Sequence, residues 1–171
     1  MRPPTIRGLS EGYDAAMDAQ RTLLKHFLAT VAYRTQKALR GAPDSFADFR
    51  AGVNLRTPHE IIWHMTGVLG YARTFFQAGV WQPDRLEDFG DEICRFHLVL
   101  ADLGGLLERE TPRNGISAEQ LLQGPLADAM THVDQLAMLR RLAGSPVPSE
   151  NFVFATIHAN NLAGSSGARC A

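Results

Sequence analysis

Thr57-Pro58-His59-Glu60-Ile61-Ile62-Trp63-His64-Met65 is the stretch whose reading decides the fold. A threonine stands before a proline, and a glutamate follows the threonine by three residues. That is the pattern of a helix N-cap, a first-turn proline and a capping box. Downstream, Ile61, Met65, Val68, Ala72 and Phe75 or Phe76 recur at three- and four-residue spacings, so the helix continues toward Gly79 with one apolar face.

The same period appears on either side. Ser10 reads as the N-cap of a first helix over residues 10–40, with Tyr13, Met17, Leu24, Phe27 or Leu28 and Val31 as its stripe. A third helix starts after Pro83 and runs to about Glu110, carrying Leu86, Phe89, Ile93, Phe96, Leu100, Leu103 and Leu107. The fourth is interrupted. Ser117 and Gln120 form a second capping box, Gly124-Pro125 reads as a break, and a new helix runs over residues 125–143 before Gly144 and Pro146. Its stripe is Leu126, Ala129 or Met130, Val133, Leu136 or Ala137 and Leu139. Nothing alternates as a strand would. The expected fold is therefore all-α: a four-helix bundle with a long connection between helices 1 and 2, over residues 43–56, holding one turn at Phe46 to Phe49. Such a connection allows the second helix to lie away from the first. Beyond Pro148, Phe152, Phe154 and Ile157 are expected to pack on the bundle, and residues 151–171 form a tail with a frayed end.

Length and composition set the frame. A chain of 171 residues suits a single domain, residues 1–171, large enough to fold without disulfides. Apolar residues at 45% and charged residues at 20% describe an ordinary globular chain. A net charge of -1 and a pI near 6.6 argue against a nucleic-acid-binding face. No apolar run approaches the ~18 residues of a membrane span. Residues 1–10 lack the apolar core of a secretory signal, and Cys94 and Cys170 form no paired motif, so the expected compartment is the reducing cytoplasm.

Polar side chains on inner faces carry the chemistry. His64 follows Ile61 by three and precedes Val68 by four, which directs it toward the core. Asp128 and His132, four apart, share a face beside the Ala129-Val133-Leu136 stripe. Two imidazoles and a carboxylate on facing helices make a three-ligand metal site with positions left for water or substrate. The plainer reading is a hydrogen-bonded core histidine and a first-turn aspartate favoured by the helix dipole. The other histidines fit a metal site less well. His59 and His64 are five apart and face differently; His97 borders the third stripe, five from Glu92; His26 neighbours Lys25 on the polar side; His158 lies in the tail. Glu60 serves the capping box and remains an outside candidate for a ligand or a ligand-orienting carboxylate. Cys94 reads as a small buried thiol rather than a nucleophile, and Arg140-Arg141 suit the negative end of a helix dipole.

Two segments carry a resemblance: Thr57 to Met65 with His64, and Asp128-Ala129-Met130-Thr131-His132-Val133-Asp134-Gln135 followed by Leu139-Arg140-Arg141-Leu142-Ala143-Gly144. The chain resembles the DinB/YfiT-like family of bacterial four-helix-bundle metalloproteins over residues 10–157. In that family a histidine lies in helix two and an H-x-x-x-H pair opens helix four, with a glutamine three residues beyond. His64, His132, Gln135 and Gly144 match, whereas Asp128 stands where the family has histidine. The resemblance thus implies a divalent metal held by His64, Asp128 and His132. The harder carboxylate opens the choice among zinc, nickel, iron and manganese, or marks a lost site.

The resemblance further implies a metal-dependent enzyme, a hydrolase or a low-molecular-weight-thiol S-transferase, in which the metal activates water or thiol. Gln135 would orient a ligand or substrate. The alternative is a stress-associated, non-catalytic binding or interaction protein with a structural or lost metal. A third reading is a scaffold without chemistry, a homodimer, motivated by exposed aromatics: Trp63, Trp81 and Phe75-Phe76.

Overall fold

The threonine box is present. Thr57 Oγ1 accepts from Glu60 N at 3.2 Å, and Glu60 Oε2 accepts from Thr57 N at 2.7 Å. These bonds satisfy two donors at the start of α2, Pro58–Thr74, whose first position is the proline. The computed structural model describes residues 7–163, with side chains described from residue 15 onward. Every long element is helical: α1, Arg7–Leu39; α2; α3, Phe89–Glu108; α4, Ala118–Leu121; and α5, Ala127–Leu142. No strand occurs among the described residues, and none of the helices described is long and apolar enough to cross a membrane.

The packing is a ring. α1 touches α3 and α5, and α2 touches α3 and α5, so α1 and α2 lie diagonally across one core. The connection between them spans that diagonal. It carries a single 3-10 turn, Asp44–Phe46, which drops Phe46 fully into the core. The core is a layer of leucines at helical spacing, such as Leu28, Leu69, Leu100, Leu103 and Leu136. Each contributes roughly 1.5–3 kcal/mol through burial.

Several expectations are corrected. α1 begins at Arg7, so Ser10 lies within it rather than capping it. The side chains of Ser10 and Tyr13, and the end of the tail with Cys170, lie outside what the structure describes. α2 stops at Thr74, short of Gly79. α3 starts at Phe89, because Asp88 rather than a residue nearer Pro83 caps it through Asp91 N at 2.9 Å; Leu86 precedes the helix. Gly124-Pro125 does not break the chain. A π-helical turn, Leu122–Leu126, joins α4 to α5 without interruption. Pro125 has no N–H to give an ordinary helical bond, and the widened turn tolerates that loss.

α5 closes as its sequence predicts. Gly144 at φ 74° takes the left-handed position, with its N–H on Arg141 O at 3.1 Å and Ser145 N on Arg140 O at 3.0 Å, a Schellman cap. Arg140 does suit a helix dipole, but the helix is α1. Its buried guanidinium donates to Ala38 O, Arg40 O and Gly41 O and to both oxygens of Ser145. Of the aromatics expected to be exposed, Trp63 is exposed and donates its indole N–H to Pro83 O at 2.9 Å, Phe75 and Trp81 are half-buried, and Phe76 is buried.

The tail packs by Ile157 and Phe152 as expected, with Ile157 against the core and the Phe152 ring against Tyr33 and beneath Arg34, and by one residue not expected. Phe154 is exposed, whereas Leu162 is buried against Gly104, where a Cβ would sit 2.2 Å from Leu162 Cδ1. His97, a boundary residue by sequence, is buried, and its Nδ1 meets Leu162 O at 2.9 Å. Burial holds the His97 imidazole below its ordinary 6.5, opposed by the bond to Leu162. The unfolded chain thus takes up a proton that the folded one refuses. The contribution to stability is present above 6.5 and lost as pH falls through the depressed folded value. Amide exchange in the Leu162 region, corrected for intrinsic rate, should be faster at about pH 5.5 than at about pH 7.5, and His97→Gln should flatten that difference. Equal protection at both pH values in the native chain would contradict this.

Candidate metal centre

Two elements build the site. α2 presents His64 on the face it turns toward α5, and α5 presents Asp128 and His132 one turn apart. The core-facing residues of α2 are Ile61, Ile62, Met65 and Leu69, so His64 sits at the edge of the core rather than in it. Its side chain is 32% exposed, Asp128's 47% and His132's 8%. The three are thus graded from a buried imidazole to an open carboxylate, as a site reached from solvent requires.

The separations are short. His64 Nε2 lies 3.7 Å from Asp128 Oδ2, and His132 Nε2 lies 3.7 Å from Asp128 Oδ1. The imidazoles meet edge to face at 4.6 Å between centroids, and one donor atom of each residue lies within 4.8 Å of the others. Two of these separations already suit ligands of one ion, which at 2.0–2.2 Å bonds stand at most about 4.4 Å apart.

One observation tests whether these residues fit a metal. His132 Nδ1 meets Gln135 Oε1 at 3.1 Å, and because that oxygen only accepts, Nδ1 carries the proton. Nε2 then presents a lone pair to the cluster. It is buried without a hydrogen-bond partner, since Asp128 at 3.7 Å is too far. A buried acceptor left unpaired costs about 1–3 kcal/mol, which a cation would relieve. His64 is held below its ordinary value by burial first, then by Arg56 and His132, with Asp128 acting in the opposite sense. That direction favours the neutral ring, the form that ligates. His64, Asp128 and His132 could hold a metal ion, and two nitrogens with one carboxylate are a donor set that suits zinc or non-haem iron.

Of the remaining candidates, Glu60 stays with its capping box and pairs loosely with Arg50 at 3.7 Å. His59 is buried against the Phe89 ring, His26 and His158 are exposed, and Cys94 is buried; none of these joins the triad.

Beside the triad opens a cleft of about 1100 Å³ between α2, the π turn and the connection from α2 to α3. Sequence reasoning missed what holds its wall. Glu92, fully buried, accepts from Thr66 Oγ1 at 3.1 Å, from Leu86 N at 3.1 Å and from Arg95. Arg95 in turn donates to Asp84 O at 2.9 Å. A glutamate and an arginine three apart on a helix read as surface residues, and only the returning connection buries them. Trp81 lies on the bare backbone of Gly70, where a Cβ would stand 2.0 Å from the indole nitrogen, and Arg73 covers its ring at 4.8 Å. Comparison of the chain with protein-family models, curated proteins and solved structures gives no match.

Proposed function

We propose that the protein is a metal-dependent enzyme of the DinB-like type, a hydrolase or a low-molecular-weight-thiol S-transferase, with a mononuclear site on His64, Asp128 and His132. The observation that carries this reading is the buried, unpartnered Nε2 of His132, aimed at two further donors and oriented from behind by Gln135. A histidine whose other nitrogen is fixed by an amide oxygen is how proteins orient ligands. The resemblance in sequence supports the same residues.

A divalent ion bound there would lower the pKa of water or thiol and so supply a nucleophile near neutral pH. The chain's own residues do the rest. Gln135 fixes the His132 tautomer, and burial favours the unprotonated ring of His64. Asp128, half-exposed at the cleft, brings the negative charge to the donor set. The connection from α2 to α3, anchored at Pro83 and Asp84, forms one wall of the cleft.

Metal content by mass spectrometry on the purified, tag-free protein tests the reading. One equivalent of metal is expected in the native chain, falling at least about tenfold in His64→Ala, as loss of a direct ligand requires. Thiol-transfer and hydrolysis assays on the loaded protein then separate the two activities. No metal after incubation with zinc, nickel, iron or manganese would leave the alternative, a non-catalytic interaction protein.

A further inference from the structure

The wall of the cleft is aromatic and its charge is one-sided. Trp63, Tyr71 and Trp81 all line it, each seated by a contact of its own. Trp63 is held by the Pro83 carbonyl, Tyr71 stands edge-on to Phe75 at 4.9 Å, and Trp81 rests on Gly70. Among the residues lining the cleft the charged carboxylates are Asp84 and Asp128, and no lysine or arginine joins them. Arg56 acts on His64 through its charge but does not line the cleft, and Arg73 is engaged with Asp102 at 2.9 Å. The floor is open. Gly67, one turn beyond His64 on the same face of α2, and Gly124 of the π turn both line the cleft, and a Cβ at either would meet nothing within 4 Å.

Building on the reading of the triad as a catalytic site, we propose that this cleft takes a substrate with a flat aromatic body, and that the metal-free cleft favours cationic over anionic rings. The Trp63 indole and Tyr71 phenol can bind rings by stacking and cations through their quadrupoles, one face of Trp81 being already covered by Arg73. With no cation bound at the triad, the carboxylates of Asp84 and Asp128 disfavour anions in the cleft, while Arg73 is paired with Asp102 and Arg95 with Glu92. Gly67 and Gly124 leave the depth that a ring needs beside His64.

The chain has two tryptophans, and both line the cleft, so intrinsic fluorescence reports its occupancy directly. Benzamidine, benzamide and benzoate form a series of one shape and three charges, to be titrated into the full chain with EDTA present. Benzamidine and benzamide are expected to change tryptophan emission, with benzamidine the tighter and benzoate weaker than either by about tenfold or more. Asp84→Asn should narrow the gap between benzamidine and benzamide. Gly67→Leu, which fills the floor, should abolish both signals while leaving the melting temperature unchanged or raised, because a helical glycine is lost. Benzoate binding as tightly as benzamidine, no emission change with any probe, or undiminished binding in Gly67→Leu would each overturn the proposal. Failure of the metal reading is distinguishable. A metal-free native chain that still discriminates among the probes loses the catalytic centre but keeps the cleft's preference. A chain that carries metal as purified but binds none of the probes once EDTA is added keeps the centre and loses the preference.

Discussion

Arg140→Leu should lower the melting temperature by roughly 6–12 °C, the largest stability loss expected from a single side chain outside the apolar core. The guanidinium makes five hydrogen bonds and is 3% exposed, so little water stands ready to replace it. Three of its acceptors, Ala38 O, Arg40 O and Gly41 O, are C-terminal carbonyls of α1 or the turn that follows. Left unpaired, such groups cost about 1–3 kcal/mol each when buried. Ala38 is buried, whereas Arg40 and Gly41 are exposed and would recover partners from water, which brings the total to about 3 kcal/mol. At 171 residues each kcal/mol is worth roughly 2–4 °C. The positive charge at the negative end of α1 adds a smaller part. Arg140→Lys should recover less than half of the loss, because an ammonium keeps the charge but cannot span five acceptors. A thermal melt of Arg140→Leu within about 2 °C of the native chain would show that the clamp is idle.

That clamp marks where the sequence stops being legible. Thr57 with Glu60, Ser117 with Gln120, and Gly144 are local signals: each acts within five residues, so the pattern alone places the helix ends. The all-helical class follows from the 3.6 period for the same reason. Arg140, Glu92 and His97 are buried by elements distant in sequence, namely the turn after α1, the connection before α3 and the tail. A polar residue beside an apolar stripe reads as boundary until the returning chain covers it. The π turn was hidden differently: Gly-Pro is a break by propensity, and only packing of α4 and α5 as one rod against α1 and α2 overrides it. Within the site, Asp128 and His132 were readable as a pair because one helix relates them. Their distance to His64 depends on how α2 and α5 pack, and the oriented Nε2 depends on a rotamer of Gln135.

Zinc should raise the melting temperature of the native chain by roughly 5–16 °C at about 100 to 1,000 times its dissociation constant, which corresponds to about 3–4 kcal/mol of linkage. The same shift should shrink to under about 2 °C in His132→Leu, because the most buried of the three donors is gone. The sharper part of the expectation concerns the metal-free state. His132 Nε2 is buried and unpartnered, and the His64 ring packs edge-on against it, so the empty cluster is a local cost to the fold. Leucine fills a similar volume without a polar atom, and His132→Leu stripped of metal should therefore melt at or above the native chain stripped of metal, by up to about 1–3 kcal/mol. With zinc the order should reverse. A crossing of the two stabilities on metal addition separates a ligand from a structural histidine, because a histidine that only packed would make the native chain the more stable in both conditions. Such a crossing would explain why an unpaired nitrogen is kept there: a residue that weakens the metal-free bundle would offset that cost as a ligand.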